Sequence, residues 1–272
     1  MATPSAYARS MDLNGANVVV TGAARGIGAA LARRFHEGGA NVVAADVLDP
    51  ATTTSGLERA VGVVADVSTE SGNVELIRAA EDAFGPIDLF FANAGIGGGV
   101  DLSTPEADWE LAFNVNVNAH RWAAKHLLDE WLARGHGYFC STASAAGLLA
   151  QIGSAPYTVT KRAAVAFAEW LSITYGDRGL RVSCLCPQGV NTDMLQSSLG
   201  GGTDVVKASG AVLEPDEVAD IVADAIAEER FLILPHPEVH DFALRKATDI
   251  VRWLAGMRKL QARVIGRHDV RG

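Results

Sequence analysis

Short runs of apolar residues alternate with longer amphipathic stretches from residue 17 almost to the end of the chain, and this alternation constrains the fold most. The runs at 18–20, 42–45, 61–64, 87–91, 137–140, 181–186 and 231–234 are short and nearly unbroken, as in strands buried on both faces. Between them, helical patterning covers residues near 26–38, 70–84, 106–134, 155–177 and 215–228. Seven strands separated by helices predict an α/β fold: a doubly wound, seven-stranded parallel sheet with helices on both faces. Right-handed crossovers in such a sheet place a ligand crevice at the carboxyl ends of the strands.

No Pro- or Ser-rich linker and no internal repeat divides the 272 residues, so one domain spanning 1–272 is expected. Within it, a short N-terminal tail covers about 1–12, and a substrate loop about 189–213. A C-terminal helical segment covers about 237–263, with Trp253, Leu254 and Met257 on an apolar face. Glycine triplets at 97–99 and 200–202 mark long loops of the kind that serve as lids. A net charge of −9 excludes a global basic field for nucleic acid, although Arg252, Arg258, Lys259 and Arg263 make the C-terminal stretch locally basic. Cys140, Cys184 and Cys186 lie in apolar runs without paired spacing, which favours a reducing compartment over a disulfide framework. With no signal-like start and no apolar run of membrane-spanning length, the expectation is a cytoplasmic protein without a membrane partner.

Thr21-Gly22-Ala23-Ala24-Arg25-Gly26-Ile27-Gly28 follows the first strand and opens the first helix. Glycines there let the backbone approach a pyrophosphate, and the helix N-terminus supplies N–H groups and positive dipole, which makes the sheet one of the Rossmann type. Asp46 ends the second strand, twenty positions after Gly26. A carboxylate at that place accepts bonds from both ribose hydroxyls and repels a 2′-phosphate, so NAD is expected over NADP. Arg25 argues the other way, since a basic residue in the turn can meet a 2′-phosphate.

Tyr157 and Lys161 lie four apart in the stretch that reads as a helix from Ala155, hence on one face. A phenol with a pKa of roughly 10 is a poor base at neutral pH. A neighbouring ammonium favours the phenolate, as does the positive ring of an oxidised nicotinamide, and the pair becomes a general acid/base. Ser144, just past the fifth strand, has a hydroxyl suited to a substrate oxygen on which charge develops; Ser141 and Thr142 compete for that role.

These motifs together resemble the short-chain dehydrogenase/reductase family, in its compact branch. The Gly-x-x-x-Gly-x-Gly spacing is similar to that family's first motif and unlike the one common among its nucleotide-sugar epimerases. The resemblance runs over about 14–235 and implies roles for further residues. Asp66 and Val67 would meet the adenine, and Asn93-Ala94-Gly95 would shape the cofactor crevice. The interval from Ser144 to Tyr157 fits the family's spacing. Asn116, or Asn114 as the fallback, would hold a water that connects Lys161 to solvent. Pro187-Gln188-Gly189-Val190-Asn191-Thr192 resembles the segment that closes over the nicotinamide, with Pro187, Gly189, Val190 and Thr192 as contacts, but has Gln188 where glycine is usual.

The resemblance implies an NAD-dependent oxidoreductase that interconverts a secondary alcohol and a ketone. Asn116, Ser144, Tyr157 and Lys161 would form its catalytic group. An NADPH-dependent carbonyl reductase of the same fold is the alternative, followed by a dinucleotide-sensing protein without catalysis, which both Tyr157 and Lys161 oppose. The presumptive pocket stretches near 95–100, 145–153 and 189–213 are rich in Gly, Ala, Leu, Val and Ile, so a mostly apolar substrate is expected; Lys207 is their one cation. His236 and His240 lie four apart with Pro237 between them and no third ligand in sight, so no metal site is expected. The family's usual assembly implies a homo-oligomer, a tetramer rather than a dimer, built through the two long helices.

Overall fold

A computed structural model describes residues 11–197 and 210–264. Seven strands form one all-parallel sheet: β1 (Asn17–Thr21), β2 (Asn41–Asp46), β3 (Ala60–Val64), β4 (Leu89–Ala92), β5 (Gly137–Thr142), β6 (Leu180–Leu185) and β9 (Leu232–Ile233). Their order is β3-β2-β1-β4-β5-β6-β9, which reverses direction between β1 and β4. The crevice of a doubly wound sheet opens at that reversal. A separate parallel pair, β7 (Gly189–Val190) and β8 (Val212–Leu213), closes the base of the expected substrate loop. Residues 198–209 of that loop, with Lys207 and the glycines at 200–202, lie outside the described residues, as do 1–10 of the expected tail.

Alternate side chains of each central strand serve different cores. Val18 and Val20, Leu89 and Phe91, and Tyr138 and Cys140 face α1 (Gly26–Glu37) and α9 (Pro215–Ala227). Val19, Phe90 and Phe139 face α3 (Glu70–Phe84), α5 (Ala119–Arg134) and α7 (Ala155–Tyr175). Burial on both faces is why these strands carry unbroken apolar runs. The remaining described helices are α2 (Ala51–Thr54), α4 (Glu106–Phe113), α6 (Ala145–Leu149), α8 (Asp193–Gln196), α10 (Glu238–Thr248) and α11 (Ile250–Val264). All three cysteines are free and buried.

Two stretches differ from their expected form. The helix expected over 106–134 is interrupted by a π-helical turn at Asn114–Asn118, where the Ala119 N–H donates to the Asn114 carbonyl. The C-terminal segment is two helices, broken at Asp249, whose side chain accepts from the Arg252 N–H at 2.9 Å and so caps α11. Trp253 packs on Phe242 of α10 with ring centroids 6.4 Å apart, Met257 is half-buried, and Leu254 stays exposed.

Candidate active site

The chain leaves β1 through Gly22 (φ 66°) and Gly26 (φ 56°), left-handed values that favour glycine. A Cβ on Gly28 would run into the Gly22 carbonyl oxygen and the Asn93 amide. α1 has no side-chain cap and no acid in its first turn, so no carboxylate competes with an anion at its N-terminus. The Asn93 side chain steadies the strand ends around this turn. Its Nδ2 donates to the Thr21 carbonyl at 2.9 Å, and its Oδ1 accepts from the Thr142 hydroxyl at 3.0 Å. Asp46 is fixed at the end of β2: one carboxylate oxygen accepts from the Ala24 N–H, the other from the Leu48 N–H, both at 3.0 Å. Arg25 is engaged elsewhere, in an exposed ion pair with Asp193 at 2.9 Å. The glycine turn, the open helix end and the carboxylate beside them fit a dinucleotide.

The second half of the site stands at the ends of β4 and β5 and on α7. Ser144 caps α6, accepting from the Ala146 N–H at 3.1 Å, and its hydroxyl lies near enough to the Tyr157 phenol to favour the phenolate. Lys161 is 2% exposed; its Nζ lies 5.7 Å from the Tyr157 ring centroid and donates to the Thr142 carbonyl at 2.8 Å. Burial pushes the Tyr157 phenol above its ordinary 10.0, an effect that the neighbouring Ser144 hydroxyl partly offsets. Burial also brings Lys161 down from 10.5 to about 8. Desolvation is thus the largest influence on both groups, and the phenol moves up rather than down as the pairing with Lys161 had implied.

Of the three alternating asparagines, Asn116 is the buried one. Its Oδ1 accepts from the Ile96 N–H, its Nδ2 donates to the Ile96 carbonyl, both at 2.9 Å, and Nδ2 also reaches Thr160 Oγ1 at 3.0 Å. The π turn aims Asn116 inward while Asn114 and Asn118 bond each other at 2.9 Å. Such turns often mark functional positions in helices. A Cβ on Gly95 would lie 3.0 Å from Lys161 Nζ and 3.3 Å from Asn116 Oδ1, so the loop after β4 packs directly against the lysine.

Both halves line one crevice of about 1340 Å³, larger than a typical single-ligand pocket. Gly22, Arg25, Gly26, Ile27, Gly28, Asp46, Asp66, Val67, Asn93, Ala94 and Gly95 reach its wall, as do Ser144, Tyr157, Lys161, Pro187, Val190 and Thr192. Asn116 and Gly189 stand off the wall and act on it through neighbours. The lining also includes Ile96, Leu111, Val115, Gln151 and Ser154, none charged. Sequence reasoning missed Thr160, which fixes Asn116, and the Thr142 carbonyl that receives Lys161. Thr142 had stood only as a rival to Ser144, and no local pattern marks a carbonyl as an acceptor.

Residues 16–200 match the family described as short chain dehydrogenase. The chain belongs to that family. This short-chain dehydrogenase is 32% identical over 259 residues to short chain aldehyde dehydrogenase 1 of Euphorbia lathyris, covering 91% of the chain and 87% of the relative. It is 31% identical over 255 residues to 1-deoxy-11-beta-hydroxypentalenate dehydrogenase of Streptomyces avermitilis, covering 90% and 93%. Among solved structures, a short-chain dehydrogenase/reductase from Burkholderia phymatum in complex with NAD is similar at a TM-score of 0.80 and 30% identity, covering 88% of this chain and 95% of that one. No helix among the described residues is long and apolar enough to cross a membrane.

Proposed function

We propose that this short-chain dehydrogenase interconverts a secondary alcohol and a ketone on a mostly apolar small molecule, with NAD as its cofactor. The observation that carries the reading is that Ser144, Tyr157 and Lys161 stand together on the wall of the same crevice as the glycine turn, beside uncharged residues such as Ile96, Leu111 and Val115. The nicotinamide, when bound, supplies a hydride acceptor for oxidation or a hydride donor for reduction. Gly22, Gly26 and Gly28 would admit its pyrophosphate, Asp46 its ribose, Asp66 and Val67 its adenine, and Pro187, Val190 and Thr192 its nicotinamide end.

Tyr157 takes the hydroxyl proton in oxidation and returns one to the oxygen in reduction. Ser144 orients that oxygen, Lys161 sets the charge around the phenol, and Asn116 holds the loop against which Lys161 packs. NAD is favoured over NADP because Asp46 is fixed at the end of β2 and Arg25 is paired with Asp193. Three free, buried thiols fit a reducing compartment such as the cytoplasm. Trp170 and Ile173, 52% and 84% exposed on α7, support assembly through the long helices into a homo-oligomer, with a tetramer preferred.

The test is NAD reduction, followed by absorbance, with a panel of neutral secondary alcohols. Because burial raises the Tyr157 phenol, its proton is held at neutral pH and must be lost before oxidation. The oxidation rate is expected to climb about tenfold per unit between roughly pH 5.5 and 7, below the range around pH 8 in which Lys161 loses its charge. Ketone reduction, which uses the protonated phenol, should stay flat over that window. An oxidation rate that falls as pH rises would rule out Tyr157 as the base.

A further inference from the structure

We propose that His236 is a positioning residue, whose neutral imidazole holds the main chain of the segment that closes on the nicotinamide. This inference rests on the function proposed above and adds a residue that the sequence motifs do not contain.

The sheet runs out just before this segment. β6 and β9 are hydrogen-bonded as far as the Cys186 N–H, which donates to the Ile233 carbonyl at 2.9 Å. Beyond Ile233 the chain reads Leu234-Pro235-His236-Pro237, and proline cannot donate to a ladder. β9 therefore stops after two residues. The segment after β6 still carries polar main-chain groups that must be paired inside the protein.

A side chain takes over from the ladder. The Gln188 N–H donates to His236 Nδ1 at 3.1 Å, and His236 Nε2 donates to the Gly189 carbonyl at 3.0 Å. With Nδ1 accepting and Nε2 donating, the ring is in one neutral tautomer. The imidazole is 2% exposed. On the near side, the Pro187 carbonyl accepts from the Ala145 N–H at 2.8 Å and the Ser144 hydroxyl at 3.4 Å. The turn is thus held by Ser144 and Ala145 on one side and by His236 on the other.

The position of this turn matters at both ends. Pro187 and Val190 line the crevice, and Gly189–Val190 is the strand that pairs with β8 at the base of the substrate loop. Without the imidazole, a half-buried N–H and a buried carbonyl lose their partners, and the segment must shift to satisfy them. Gly22, Gly28 and Asp46 make no hydrogen bond to His236, so the adenine end of the crevice should be indifferent to its loss.

The experiment compares NADH with ADP-ribose, which lacks the nicotinamide, on the wild type, His236→Ala and His236→Asn. NADH is titrated by its fluorescence and ADP-ribose by calorimetry. His236→Ala should weaken NADH by about tenfold, a loss of the size expected for unpairing one buried main-chain carbonyl, with ADP-ribose changed less than about twofold. His236→Asn places an acceptor near the Nδ1 position and should recover part of the NADH affinity. It also stands in if the alanine variant does not fold. Equal weakening of both ligands, or no weakening of NADH in either variant, overturns the proposal. Wild-type protein that bound neither ligand would sink the oxidoreductase reading, and this inference with it.

Discussion

Tyr157→Phe is expected to lower turnover by about three orders of magnitude while leaving NADH affinity within about threefold of wild type. The substitution keeps the ring and its packing on α7 and removes one oxygen. That oxygen feels the nearby Ser144 hydroxyl, belongs to a residue on the crevice wall, and is the group proposed to carry the proton. A nearby water or Ser144 itself is a much poorer acid/base, so little activity should survive. Steady-state turnover on the best alcohol, with NADH binding measured on the same preparation, checks both parts. Residual activity within tenfold of wild type would move the proton to another group, and a parallel loss of NADH binding would make Tyr157 a cofactor-binding residue only.

Lys161→Met is expected to cut kcat/KM by about two to three orders of magnitude without destabilising the protein at pH 7. Methionine fills much the same volume, so packing against Gly95 and Thr142 should survive. The lost items are the ammonium near Tyr157 and its bond to the Thr142 carbonyl. Stability should move the opposite way from activity. The folded value of about 8 lies below the unfolded 10.5, so charging Lys161 opposes folding in full below about pH 8, and the cost fades as pH rises towards 10.5. That cost is on the order of 3 kcal/mol, partly offset in the wild type by the hydrogen bond to Thr142. A thermal melt at pH 7 should show Tm unchanged or raised. A variant that keeps its activity, or loses it only because it unfolds, contradicts the assigned role.

The sheet was legible because its central strands are buried on both sides, which removes polar residues and leaves runs such as Val18-Val19-Val20. The glycine turn was legible for a steric reason: Gly22 and Gly28 stand where a Cβ meets backbone or the Asn93 amide. Asn116 was harder. Its place depends on a π turn and on Ile96 and Thr160, far away in the sequence, so alternating asparagines left Asn114 as a rival. The break at Asp249 had a local signal, since Asp before an apolar run is a good cap, but the helical pattern on both sides masked it. His236 had none. Its contacts are to main chain 48 and 47 residues away, and the prolines that make them necessary read locally as an ordinary turn. The raised phenol of Tyr157 was likewise beyond sequence, because spacing shows which groups are near but not how deeply they are buried.

The crevice is expected to take an NAD-type dinucleotide with its ribose on Asp46. Fluorescence titration of the purified protein with NADH and with NADPH, repeated on Asp46→Ala, tests it most directly. NADH should bind at least about tenfold tighter than NADPH, with the preference eroded in the variant as the carboxylate that repels a 2′-phosphate is removed. Tighter binding of NADPH, or binding of neither, would contradict it.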